Sequence, residues 1–207
     1  HGVKLLNDYL KSNKDNDVIV TSILQLMKHN NIIQEIFGVN SHSQIIAKST
    51  DIIAVILERN FLSPDELMLI LSGTQKGDLD GKLTILNILK ELSHLFSHEQ
   101  RQTILCFVYE HVDTSNIKEK EIELICNLSQ SSNNNDDVVN AIGFFMGCIL
   151  KCKVHGDKMN NLLIEKLKDI TKIKREYMVQ VFMMCAKALK DNVNAVMAYK
   201  ILFSFIH

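Results

Sequence analysis

The chain has 207 residues, 46% of them hydrophobic and 23% charged, with 23 basic against 24 acidic side chains. That charge balance excludes a strongly basic nucleic-acid binder, and an Ile- and Leu-rich composition excludes a disordered chain. The longest uncharged apolar-rich run, 138–150, has thirteen residues and contains Asn140 and two glycines; a membrane span needs about 20 apolar residues.

Helical periodicity recurs from end to end. In chain order, the stripes are Val18, Ile19, Ile23, Leu26 and Met27, then Ile45, Ile46, Ile52, Ile53, Ile56 and Leu57, then Leu67, Ile70 and Leu71. A wide apolar face follows at Leu83, Ile85, Leu86, Ile88, Leu89, Leu92 and Leu95. Further stripes cover 104–112, 117–128, 138–150, 162–170, 178–189 and 196–206. No strand-like alternation appears, and a single proline, Pro64, leaves too few turn residues for a β-sandwich.

Start signals mark the boundaries. Ser63-Pro64-Asp65-Glu66 reads as a capping box with proline at the first helical position, and Ser97 with Gln100 repeats it. Asn116-Ile117-Lys118-Glu119 is expected as a third box. Asp136, Asp137 and Asp157 place carboxylates at helix starts, where the helix dipole favours them. The segment 73–81, with Asp78 and Asp80, is expected as a turn, and the polar run 129–135 as a surface loop. Connectors this short predict one domain over 1–207. They also predict an all-α fold: a right-handed α-solenoid of armadillo/HEAT-like repeats with about eleven or twelve helices. A compact irregular bundle is the competing architecture. The opening His1-Gly2-Val3, without Met or a signal segment, reads as a fragment of a longer protein.

Chemistry-bearing patterns are sparse. The five cysteines are Cys106, Cys126, Cys148, Cys152 and Cys185. An odd number inside apolar runs predicts buried thiols in a reducing, cytoplasmic setting. Cys148 and Cys152 are spaced for one helix face, but no second half of a zinc site accompanies them. His94 and His98 share that spacing, but the start signal at Ser97 puts them on different helices. Cys106 and His111 point away from each other on one helix, so they do not form a nucleophile–base pair. Around Asp78 and Asp80 the calcium-loop pattern is incomplete: Lys76 stands at the first ligand position and Asn87 at the twelfth. The expectation is therefore no catalytic residue, no metal and no cofactor.

One charged feature is local. Residues 166–175 hold five bases and one acid. Leu163, Leu167, Ile170 and Lys174 fall on the core spacing, so Lys166, Lys168, Lys172 and Arg175 are expected to project into solvent and to bind an acidic protein partner. Three arginines in the whole chain argue against base-specific nucleic-acid readout.

The block 59–108 carries a family resemblance. Leu62-Ser63, Glu66-Leu67, Ile70 and Gly77, then Leu89, Leu92, Phe96-Ser97, Glu99-Gln100 and Ile104-Leu105, match a two-part helical pattern. Asn127-Leu128 and Asp136-Asp137-Val138 match a third part around a longer loop. The block resembles the helical region that precedes the catalytic domain in large fat-facets-type ubiquitin-specific proteases. The family's tryptophans are replaced here by Leu71 and Cys126. The resemblance implies an armadillo-like scaffold within a larger deubiquitinase, with no counterpart in this chain of the catalytic Cys and His boxes. Two alternatives stay open: an unrelated HEAT or armadillo adaptor in trafficking or nuclear transport, and an all-α enzyme with a dispersed active site.

Overall fold

A computed structural model describes residues 2–38, 41–76, 79–151 and 156–206, the side chains of Lys76 and Lys151 excepted. Its described residues are all-helical, with thirteen helices and no strand. Two compact units divide the chain, 1–100 and 101–207.

The first unit holds α1 (Gly2–Ser12), α2 (Asp17–His29), α3 (Ile32–Phe37), α4 (Ser43–Lys48), α5 (Thr50–Glu58), α6 (Pro64–Lys76) and α7 (Leu79–Glu91). Within it α6 pairs with α7, α3 packs on α6, α4 on α7, and α1 on α5. The core is aliphatic: Ile52, Ile53, Leu67, Ile70, Leu71, Ile85 and Leu89 are buried. Gly73 brings α6 close to its neighbours, since a Cβ there would lie 2.9 Å from Ile85 Cδ1 and 3.4 Å from the Phe37 carbonyl oxygen.

The thirteen helices exceed the eleven or twelve expected, and the reason is local. The apolar stripe 45–57 reads as one helix, but Ser49 divides it into α4 and α5, with its hydroxyl donating to the Ile46 carbonyl at 2.6 Å. The α3 helix has only six residues, too short for periodicity to register. The expected turn does not extend over 73–81: α6 runs to Lys76 and α7 begins at Leu79, so Gly73 and Gly81 are helical. Gly77 and Asp78 lie outside the described residues.

The α8 helix (His98–His111) carries the boundary between the units in its first turn. The second unit continues with α9 (Glu119–Gln130), α10 (Asn135–Lys151), α11 (Asp157–Thr171), α12 (Arg175–Lys190) and α13 (Ala195–Ile206). Here α11 packs on α9, α10 and α12, and α12 pairs with α13. Ile142, Phe145, Met146, Leu163, Leu167 and Ile170 fill the core.

The start signals act as their chemistry requires. At α6 the Glu66 carboxylate accepts from the Ser63 N–H at 2.8 Å and the Ser63 hydroxyl at 2.7 Å, while the Glu66 N–H donates to Ser63 Oγ at 3.3 Å. Ser97 and Gln100 exchange the same pair of bonds at 3.0 and 3.2 Å. The third box is displaced by two residues: α9 begins at Glu119, and Glu121 accepts from the Lys118 N–H at 2.9 Å. Only this half of a box exists there, because a lysine ammonium has no acceptor to return the bond. At α10, Asn134 Oδ1 accepts from the Asp136 N–H at 3.0 Å, and the buried Asp137 accepts from the Ser132 hydroxyl at 2.6 Å.

Candidate functional site

The basic segment 166–175 is not one helix face. It comprises the end of α11, the connector 172–174 and the first residue of α12. Leu163, Ile164, Leu167 and Ile170 anchor α11 in the core, so Lys166, Lys168 and Asp169 are directed sideways and are half-buried. Lys172 and Arg175 are exposed, as expected, whereas Lys166 and Lys168 are half-buried. Lys174, expected on the core face, is exposed because α11 ends at Thr171 and the helical spacing stops there.

Asp169 organises the cluster. Its carboxylate lies 2.9 Å from Lys172 Nζ and 3.7 Å from Lys166 Nζ. The hydrogen bond from Lys172 is the main reason its carboxyl titrates below the usual range, and the Lys172 ammonium is raised by the same bond. Lys168 Nζ stands 5.9 Å from the centroid of the Phe205 ring on α13, an arrangement that favours a cation over an aromatic face. Lys174 Nζ donates to Asn135 Oδ1 at 2.6 Å, and the Tyr177 hydroxyl donates to the same oxygen at 2.8 Å.

The sequence reading missed Asp169 and Asn135 as members of this cluster. Asp169 was legible in principle, because positions three apart on a helix are neighbours. Asn135, 39 residues from Lys174, has no local signal. The cluster offers an external carboxylate or phosphate three cations at its rim, Lys172, Lys174 and Arg175, with Asp169 as the competing internal anion.

The other candidates disperse. Cys148 is buried, while Cys152 and His155 lie outside the described residues. His94 follows the end of α7 and His98 opens α8, on separate elements as their start signal implies. Cys106 corrects the expectation of buried thiols: it is exposed, because Ile104, Leu105, Phe107 and Val108 take the core face of α8 and leave it opposite. His111 stacks on Phe107 with ring centroids 4.2 Å apart, and its Nδ1 lies 2.9 Å from the Phe107 carbonyl oxygen. Burial raises the Cys126 and Cys185 thiols to about 11, which suppresses the thiolate a nucleophile needs. Tyr109 packs on Phe144 at 4.8 Å, and burial, with the Asp137 charge second, holds its phenol neutral far above the ordinary range.

Among the described residues, no three His, Cys, Asp or Glu side chains are grouped to hold a metal ion. No helix of the described residues is long and apolar enough to cross a membrane. Two open hollows have apolar linings. One, of about 440 Å³, is formed by Leu6, Ile23, Leu26, Met27 and Ile32; the other, of about 250 Å³, lies between α10 and α12 at Met146, Leu150 and Met184. Compared with family models, with curated proteins and with solved structures, the chain has no significant match.

Proposed function

We propose that this chain is a non-catalytic helical-repeat scaffold, an α-solenoid of armadillo/HEAT-like hairpins that binds an acidic protein partner in a reducing, cytoplasmic setting. One observation carries it: successive helices pair as hairpins, α6 on α7 and α12 on α13, and further helices layer onto them within each unit. Helical repeats bind through such layered surfaces rather than through a closed pocket. The basic α11–α12 connection supplies the charged contact, with Lys172 and Arg175 foremost and Lys166 and Lys168 behind them.

We retain the fat-facets-type ubiquitin-specific protease region as the origin of the scaffold, on the sequence resemblance alone. Many of its matched positions are core or cap residues here: Leu67, Ile70, Leu89, Leu92, Phe96, Ile104 and Leu105 are buried, and Ser63, Glu66, Ser97 and Gln100 form the two capping boxes. A ubiquitin-hydrolase domain encoded beside this segment would support that origin; a different neighbouring domain would favour an unrelated adaptor.

Two experiments test the scaffold. Stacked repeats give a radius of gyration above the roughly 17 Å of a compact 207-residue domain in solution scattering; a value at or below that figure overturns the solenoid. Reversal of Lys168, Lys172 and Arg175 to Glu in the folded chain is expected to abolish salt-sensitive retention of an acidic peptide library. Turnover of a ubiquitin–fluorophore substrate by the isolated chain, lost on Cys106→Ala, would overturn the non-catalytic assignment.

A further inference from the structure

We draw no further inference here: the strongest candidate, the open apolar hollow of about 250 Å³ between α10 and α12 at Gly143, Gly147 and Met184, is an uncovered apolar face, and nothing in the structure shows what covers it.

Discussion

Asparagine supplies every positive-φ position among the described residues: Asn31, Asn60, Asn192 and Asn194, with φ between 46° and 53°. Its short polar side chain tolerates the left-handed region better than other non-glycine residues do. Asn60 and Asn192 each close a helix in the Schellman manner. The Phe61 N–H donates to the Ile56 carbonyl and the Val193 N–H to the Ala188 carbonyl, both at 2.8 Å. Replacing Asn60 or Asn192 by Ala is expected to destabilise the fold by about 1 kcal/mol, and by Gly to leave it unchanged or slightly more stable; urea unfolding measures both. Glycines sort in the opposite way. A Cβ on Gly38 would sit 2.5 Å from the Gln34 carbonyl oxygen, whereas on Gly143 or Gly147 it would meet nothing within 4 Å. Gly38→Ala is therefore expected to lower the urea midpoint, and Gly143→Ala or Gly147→Ala to raise stability by about 0.4–1 kcal/mol by restricting the unfolded chain. The thiols divide by exposure. At pH 8, in a Cys152→Ser background, Cys106 is expected to react with a disulfide reagent in the native state. Cys126, Cys148 and Cys185 should react only on unfolding, because all three are buried and two titrate near 11.

At the scale of elements, caps and counter-ions decide what is stable. Ser63 satisfies the α6 amides and is itself held by Glu66, so Ser63→Ala is expected to cost about 1 kcal/mol, with Ser97→Ala at α8 similar. At the α11–α12 connection, Asp169 is the lever. Its carboxyl is lowered in the folded chain, so its contribution to stability is present above the unfolded value of about 4. That contribution is lost as pH falls through the folded value. Asp169→Asn is expected to remove that acid-side dependence and to release Lys166 and Lys172. Retention on a sulfonated resin at low salt should then rise, and fall steeply with added salt. Retention unchanged by the substitution would mean that the two lysines are held by their packing rather than by the carboxylate.

For the whole molecule, the two units pose a question of cooperativity. We propose that 1–207 unfolds as the one domain expected from its short connectors. Tyr9 is the sole tyrosine of residues 1–100, and Tyr109, Tyr177 and Tyr199 follow in 101–207. With no tryptophan to obscure them, tyrosine fluorescence with and without Tyr9→Phe, compared with circular dichroism, reports the units separately. Coincident urea transitions are expected. Separated midpoints would make each unit its own folding domain.

Helix type, most helix starts and much of the core were written locally. An apolar spacing of three or four and a Ser-to-Glu cap act within one or two turns, so Leu67, Ile85 and Leu163 could be assigned to the interior, and Ser63 and Ser97 to helix starts, without tertiary knowledge. What covers a helix face is decided by chain segments far away in sequence. Lys174 meets Asn135, Lys168 lies over Phe205, and Gly73 admits Ile85 and the Phe37 carbonyl. The stripe 196–206 shows the same division. Its sequence is apolar on several faces and predicts a helix, but only packing against α12 and its neighbours determined that Ala198 and Ile201 turn inward. Val196, Tyr199, Phe203 and Ile206 stay largely exposed while Phe205 packs on Phe182 of α12, and that choice belongs to the tertiary fit rather than to any local preference.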